Sequence, residues 1–373
     1  MAQRTAGPGT GPGTPGPRSG KVTIRDVAGR AGVSVATVSR VLAGNYPTSA
    51  AARAKVLRAV KDLDYVVDGR ARALAGTGPG TIAVIVRSVD SAFYAGVAQG
   101  VEQEAAARGR LCLVCSHGGD EARELALVQM TREQRSEFVV LVGGSVEDEG
   151  YRARLGEYAR GLAAAGSRLV LCGRPAPGPD MPVLVVEYDN EAGAYAVVSH
   201  LLAAGHRAIL FLGAIPGHST VEPRIAGYRR ALADHGLPPS AERVGGLGLG
   251  RALGYAAMGR ILDDCGGRPD FTAVFAGDDQ AAAGAMAALR ERGLRVPGDV
   301  SVVGYNNDDL AQDLNPPLTT VNIPAYELGR ESVRLALAEE AAHPGGPRLL
   351  AQTRHLLGTH TVLRESVAPP RQR

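Results

Sequence analysis

Thr23-Ile24-Arg25-Asp26-Val27-Ala28, then Ala31-Gly32-Val33-Ser34, then Val35-Ala36-Thr37-Val38-Ser39-Arg40-Val41-Leu42 is the stretch on which the reading turns. Thr23 with Asp26 three residues on has the form of a capping box, and Ile24, Val27 and Ala28 recur at helical spacing. Gly32 suits a sharp turn, and Ser34 can cap a second helix. In that helix Val38, Val41 and Leu42 face inward at i, i+3, i+4. Val35, Ala36, Thr37, Ser39 and Arg40 lie off that stripe near the N-terminus, where a recognition helix offers side chains to base edges. A third helix is expected after Pro47-Thr48, with Val56, Leu57, Val60 and Leu63 as its inner face. An ordinary three-helix domain has the same spacing, so other signals must decide.

Charge is one of them. Residues 1–76 hold 12 Lys/Arg and four Asp/Glu, a net of +8, whereas the rest holds 29 basic and 34 acidic residues, a net of −5. A basic end on an acidic body suits a polyanion partner. Length, 373 residues, allows two to three compact units. Hydrophobic residues make up 45 % and aromatic residues 4 %, with no Trp, so Ala, Val and Leu must fill the cores. No apolar run reaches the roughly 18 residues of a membrane span. Residues 1–20 are Gly/Pro/Thr-rich with no apolar stretch, neither signal peptide nor span, and are expected to be a disordered tail. A soluble cytoplasmic protein is expected.

The stretch quoted above, together with Lys61-Asp62-Leu63-Asp64-Tyr65, resembles the headpiece of the lactose/galactose repressor (LacI/GalR) family, and the match continues over nearly the whole chain. By that resemblance Val35, Ala36 and Arg40 sit where the family reads operator bases. A guanidinium can pair bidentately with guanine O6 and N7, whereas Val35 and Ala36 can only touch apolar groups such as a thymine methyl. Thr37 and Ser39 suit phosphates. Thr23, Ser34, Tyr46 and Arg53 are further candidate DNA contacts. The family usually continues with a Pro-Asn-x-x-Ala-Arg-x-Leu hinge. This chain keeps Ala71-Arg72-x-Leu74 but has Val67 and Asp68 for the Pro and Asn, then Gly69. The resemblance makes Leu74 a minor-groove wedge and Arg72 a DNA contact. Gly69 weakens a hinge helix by up to about 1 kcal/mol relative to Ala.

From Thr81 onward short apolar runs alternate with amphipathic stretches: Ile82-Val86, Leu111-Cys115, Phe138-Val142, Arg168-Leu171, Val183-Val186, Ala208-Leu212, Thr272-Phe275 and Ser301-Val303 read as strands, with helices such as Phe93-Arg108 and Asn190-Ala204 among them. That alternation implies parallel sheets covered on both faces. Pieces such as Gly205-His206-Arg207, Asp299-Val300-Ser301-Val302 and Pro317-Leu318-Thr319-Thr320-Val321 also resemble the family. The fold expected is an all-α helix-turn-helix headpiece plus an α/β core of two doubly wound, periplasmic-binding-protein-like subdomains. The boundaries are 1–20 for the tail, 21–66 for the headpiece, 67–80 for the hinge and linker, 81–365 for the core and 366–373 for a terminal tail. Subdomain 1 takes about 81–186 plus 317–330, and subdomain 2 about 190–315 plus the C-terminal part. The chain crosses near 186–190 and returns near 316–323.

A ligand belongs in the cleft at the C-terminal ends of the strands. The resemblance carries Phe93 and Tyr94 over as stacking rings, Arg224 as a fork for polar ligand atoms, Asp279 as an acidic contact and Asn306 as an amide where many members have Asp. Ser145 and Arg174 are strand-end candidates. Leu249 stands where relatives often offer an aromatic ring. The implied partners are palindromic double-stranded DNA, a small-molecule effector of sugar type and a second copy of the chain, because a two-fold dimer matches a palindrome.

Other functions are poorly supported. The chain has no P-loop or HExxH motif, and Gly245-Gly246-Leu247-Gly248-Leu249-Gly250 lacks GxGxxG spacing. The doublets Asp263-Asp264 and Asp278-Asp279 are adjacent on a helix and diverge. Cys112 and Cys115 form a CxxC without a second ligand pair, and read as thiols of a buried strand rather than a metal site. No enzyme activity, metal or cofactor is expected. A transport-type solute-binding protein would fit the core but not the basic headpiece. Within the regulator reading, a sugar inducer that releases DNA competes with a purine corepressor that tightens it.

Overall fold

The computed structural model describes residues 22–43, 47–66, 80–176, 178, 181–238, 242–342 and 353–371. They belong to two units, Met1–Pro79 and Gly80–Arg373. The expected tail 1–20, Tyr46, and the hinge with Arg72 and Leu74 lie outside the described residues.

The first unit has helices α1 (Ile24–Ala31), α2 (Val35–Ala43) and α3 (Ala50–Asp62). The capping box starts α1: the Asp26 amide donates to Thr23 Oγ1 at 3.4 Å and the Thr23 amide to Asp26 Oδ2 at 2.8 Å. Gly32 ends it at φ 64°, a left-handed conformation in which a side chain is strained. Ser34 Oγ then accepts the Thr37 amide at 3.1 Å to open α2. Val27, Ala28, Ala31, Val38, Val41, Val56 and Ala59 form the buried centre. Leu57 was expected there but is 49 % exposed. It sits one residue, about 100°, off the stripe through Val56, Ala59, Val60 and Leu63, so Ala59 takes its place.

In the second unit the apolar runs become two parallel sheets. Strands β1 (Thr81–Val86), β2 (Leu111–Ser116), β3 (Phe138–Val142), β4 (Arg168–Cys172), β5 (Val183–Tyr188) and β11 (Thr353–Leu357) form one, in the order β11-β5-β4-β3-β1-β2. Strands β6 (Ile209–Ala214), β7 (Arg243–Leu247), β8 (Ala273–Ala276) and β9 (Ser301–Val303) form the other, ordered β7-β6-β8-β9. Between them β10 (Thr320–Asn322) pairs antiparallel with β12 (His360–Val362). The helices are α4 (Ala92–Ala107), α5 (Glu121–Glu133), α6 (Glu149–Ala164), α7 (Asn190–Ala203), α8 (Val221–Asp234), α9 (Arg251–Asp264), α10 (Asp279–Glu291), α11 (Leu310–Asp313) and α12 (Ala325–Ala342). Helices α4 and α12 approach with backbones nearly touching. A Cβ on Gly100 would meet Tyr326 O at 2.0 Å, and one on Gly329 would meet Val97 O at 2.1 Å.

Three differences from the expected organisation stand out. The first sheet reclaims the chain beyond 330, because α12 packs on α4 and β11 pairs with β5. The chain therefore crosses a third time, between β11 and β12, and 317–330 is too short a return. Second, residues 366–371 are no loose tail. Ser366 is fully buried, its carbonyl takes the Val302 amide at 3.0 Å, and its hydroxyl takes the Thr319 amide at 2.8 Å. His206 Nε2 meets Ala368 O at 2.9 Å. Third, β2 is not buried. It is the sheet's edge, with Leu111 63 % exposed and Leu113 and Val114 also exposed. Cys112 and Cys115 are free, half-buried thiols. Their odd spacing on a strand aims them at opposite faces.

Candidate functional site

Two surfaces collect the residues singled out from the sequence. On the first unit the inward stripe of α2 leaves Ser34, Val35, Ala36, Ser39 and Arg40 exposed. Arg40 has no ion pair among the described residues, so its guanidinium is open to a partner. Ser34 and Thr37 are less free, since their hydroxyls pair at 2.9 Å. Thr23 is likewise engaged in its capping box, its hydroxyl donating to Asp26 Oδ2 at 2.7 Å. Arg53 is exposed in the first turn of α3.

On the second unit a cavity of about 320 Å³ opens between the C-terminal ends of the two sheets, within the usual range for small-molecule sites. The order β2-β1-β3 in one sheet and β7-β6-β8 in the other places a topological switch point on each side. Phe93 and Tyr94 line the cavity from the start of α4, their ring centroids 5.2 Å apart, and Tyr188 adds a third ring 6.1 Å from Phe93. Arg224 enters from α8. Its Nε donates to Asn190 Oδ1 at 2.9 Å and Nη2 to Tyr188 Oη at 3.1 Å, and Nη1 donates to Gly277 O. Its guanidinium lies 3.9 Å over the Tyr305 ring. Leu249 and Asn306 also line the wall. Asn306 is held at φ 116°, a left-handed value that fixes where its amide points.

Three expected contacts fall outside the cavity lining. Asp279 is fully buried and accepts Thr320 Oγ1 at 2.5 Å and the Asp308 amide at 2.7 Å, so it braces the crossover strand β10. The carboxylate in the lining is its neighbour Asp278, which caps α10 and accepts the Ala281 amide at 2.6 Å and the Gly250 amide at 3.3 Å. Arg174 is buried behind the wall, donating to Tyr151 Oη and to Val142 O at 3.2 Å. Ser145 is used by its backbone, exchanging bonds of 3.1 and 2.9 Å with Ser219 across the two sheets.

Sequence reasoning missed Arg87, Ser91, His218, Thr220 and Gln280, which also line the cavity. Arg87 and Gly143 directly follow β1 and β3, so the strand-end rule could have found them. His218 Nδ1 accepts the Thr220 amide at 3.4 Å, which leaves Nε2 carrying the proton of the neutral ring. Burial, then the charges of Arg224, Arg87 and Arg174, push its pKa down to about 4, so it is a neutral donor at pH 7. Burial likewise raises the carboxyl of Asp278, and that of Asp279 to about 6. Neutral donors, rings and the guanidinium groups of Arg224 and Arg87 suit a polar, hydroxyl-rich ligand.

A helix-turn-helix in the first unit and a two-sheet cleft in the second define a DNA-binding protein fitted with a small-molecule sensor. The comparisons agree. Residues 23–68 match the model of the bacterial regulatory proteins of the lacI family, and residues 198–367 match the periplasmic binding protein-like domain. The transcriptional regulator CelR of Thermobifida fusca is 33 % identical over 94 % of this chain and 99 % of its own length. The regulator GalR of Escherichia coli K12 is 31 % identical over 93 % of this chain and 96 % of its own. Among solved structures, a lac repressor dimer bound to operator and the anti-inducer ONPF is 28 % identical, with a TM-score of 0.75 over 94 % of this chain and 100 % of that one. A CelR–cellobiose complex is 31 % identical, with a TM-score of 0.65 over 92 % and 99 %. The chain belongs to the LacI family of helix-turn-helix transcriptional regulators. Among its described residues no helix is long and apolar enough to cross a membrane.

Proposed function

We propose that this regulator is a repressor of sugar uptake or catabolism genes, and that a carbohydrate in the cleft releases it from a palindromic operator. The observation that carries this reading is the cavity itself. It has an aromatic wall, the Arg224 fork and the neutral donor His218, contributed from both sheets of one unit. The bound ligand of the CelR–cellobiose complex supports the ligand class. Arg40 reads a guanine, Val35 and Ala36 touch neighbouring bases, and Leu74 in the hinge wedges the minor groove. The lac repressor dimer on its operator supports two headpieces on one site. The exposed apolar edge of β2, with Leu111 and Leu113 on one face, is the surface a second copy covers. The protein works by binding, without a chemical step, on the bacterial nucleoid in the cytoplasm.

The test is an operator-shift assay on a selected site, titrated with a panel of sugars and purines. Affinity should fall steeply with salt, as phosphate contacts dictate, and a sugar should weaken it. A salt-independent result would favour a solute-binding protein. A purine that alone tightened binding would favour the corepressor reading, to which the cavity's three rings lend some support.

A further inference from the structure

The charged groups around the cleft are unevenly matched. Two arginines line the cavity, Arg87 and Arg224, against one carboxylate, Asp278. Arg224 is 3 % exposed and commits three of its five N–H groups, all to neutral acceptors: Asn190 Oδ1, Gly277 O and Tyr188 Oη. Arg87 has no ion pair among the described residues, and the nearby Asp90 is engaged by Ser88 Oγ. Asp278 is turned to the Gly250 and Ala281 amides.

The helix ends add to this imbalance. Ser91 and Gly250, the N-caps of α4 and α9, both line the cavity. Ser91 makes no side-chain cap bond, Gly250 has no side chain to make one and its amide is met by Asp278 Oδ1 at 3.3 Å, and neither helix has an acidic residue in its first turn. Thr220, the N-cap of α8, also lines the cavity without a cap bond, although Glu222 lies in that first turn. Elsewhere in the unit Asp120, Asp148 and Asp189 cap α5, α6 and α7 with their own carboxylates. Helix N-termini carry partial positive charge, and an anion is stabilised there. Cleft walls with one sign of charge concentrate ligands of the other sign.

We infer that the effector is a polyhydroxylated anion, whose acidic group is held by Arg87 at the mouth of the cleft while Arg224 and the rings hold its hydroxyl-bearing body. The inference rests on the carbohydrate reading and narrows it. The acidic group is a carboxylate or a phosphate, and both present oxygens to the same guanidinium fork. The depressed pKa of His218, to which Arg224 and Arg87 both contribute after burial, reflects the same positive field.

The test uses the full chain, with calorimetry and melting in matched sets: glucose, glucuronate and glucose 6-phosphate, then the galactose and mannose equivalents, with inorganic phosphate alone as a further probe. A charged member should bind at least tenfold tighter than its neutral parent. A preferred uronate assigns the carboxylate, and a preferred 6-phosphate assigns the phosphate. Arg87→Gln should abolish that preference and Arg87→Lys, which keeps the charge, should retain part of it, a split that a merely structural role for Arg87 would not produce. If a neutral sugar binds and its charged derivatives bind no tighter, the charge inference fails and the carbohydrate reading survives. A preference that outlasts Arg87→Gln also overturns it. If nothing in these sets or in a neutral disaccharide panel binds, both fall together.

Discussion

Replacing Arg224 by methionine tests whether the cleft is organised around its guanidinium. Methionine keeps the stem's length and apolar contacts but removes the fork. Asn190 Oδ1 and Gly277 O lose their donor, and Tyr188 Oη loses one partner. All three acceptors are buried, and each buried acceptor left unpaired costs about 1–3 kcal/mol. Two obligate acceptors therefore cost roughly 2–6 kcal/mol. Part is recovered, because a cation 3 % exposed without a carboxylate partner is itself expensive to bury. A net loss of about 2–4 kcal/mol follows. In a unit the size of Gly80–Arg373, each kcal/mol moves the melting midpoint by roughly 2 °C, so the shift should be about 4–8 °C. Arg224→Lys keeps the charge and one donor and should fall between the two. The assay is thermal and urea unfolding of the full chain, each variant checked by circular dichroism. A midpoint within about 1 °C of the parent, with m unchanged, would mean that desolvation cancels the contacts. The claim that Arg224 ties the end of β8 to the crossover at Asn190 would then be wrong.

Other expectations follow from the same geometry. Arg40→Ala should weaken binding to a selected operator by roughly 1–3 kcal/mol while relaxing one base position, and should move headpiece stability by under about 0.5 kcal/mol because the side chain is exposed; equal losses on operator and scrambled DNA would make it a phosphate contact. Ending the chain at Glu365 removes the bonds of Ser366 and Ala368 to Val302, Thr319, Ser301 and His206 and should cost roughly 3–6 kcal/mol in urea unfolding; an unchanged midpoint would return residues 366–371 to the status of a tail. His218 is depressed to about 4 in the folded state. Between about pH 6.5 and 4 the unfolded chain therefore holds the extra proton, and stability falls as pH falls. His218→Gln should flatten that acid limb by up to about 1.4 kcal/mol per pH unit, read from urea midpoints at several pH values. Asp279, raised to about 6, acts in the opposite sense: its contribution is lost as pH rises from about 3.8 through 6.

The headpiece was legible because its signals are local. A capping box, a left-handed glycine and a 3.6-residue stripe all lie within neighbouring turns, and only Leu57 strayed, by one residue. The parallel strands were legible as apolar runs. What the chain pairs at long range was not. Leu111-Cys112-Leu113-Val114-Cys115 is apolar on both faces, so composition does not tell an edge strand from a central one. The return of β11 to β5 joins residues about 170 apart, and no local pattern marks it. In the cleft, Asp278 and Asp279 share one composition signal; the start of α10 decides which faces the cavity and which the crossover. Arg174 does lie just beyond a strand end, but its side chain turns inward to Tyr151. Arg87 escaped notice because a charged residue after a strand is commonplace, and only the switch point between β1 and β3 gives it meaning.

A ligand acts on this unit only through a difference in affinity between its arrangements. The structure shows where such a difference can be made. Residues 145–147, beyond β3, are stitched to residues 217–219, beyond β6. The Ser219 amide donates to Ser145 O at 2.9 Å, the Ser145 amide to Ser219 Oγ at 3.1 Å and the Glu147 amide to Gly217 O at 2.9 Å. Val146 and His218 form the bridge between them. Three bonds at a net 0.5–1.5 kcal/mol each amount to a few kcal/mol, the same size as a typical allosteric coupling of 1–3 kcal/mol. His218 belongs to this seam and also lines the cavity, so a ligand that takes its Nε2 proton bears directly on the seam. Saturating ligand should therefore slow hydrogen exchange at the Glu147 and Ser219 amides at least tenfold relative to the free protein. Amides within α5, which contributes no residue to the cavity lining, should not change. Equal exchange at Glu147 and Ser219 with and without ligand would remove the seam from the response and leave the crossover braced by Asp279 and Thr320 as the element that moves.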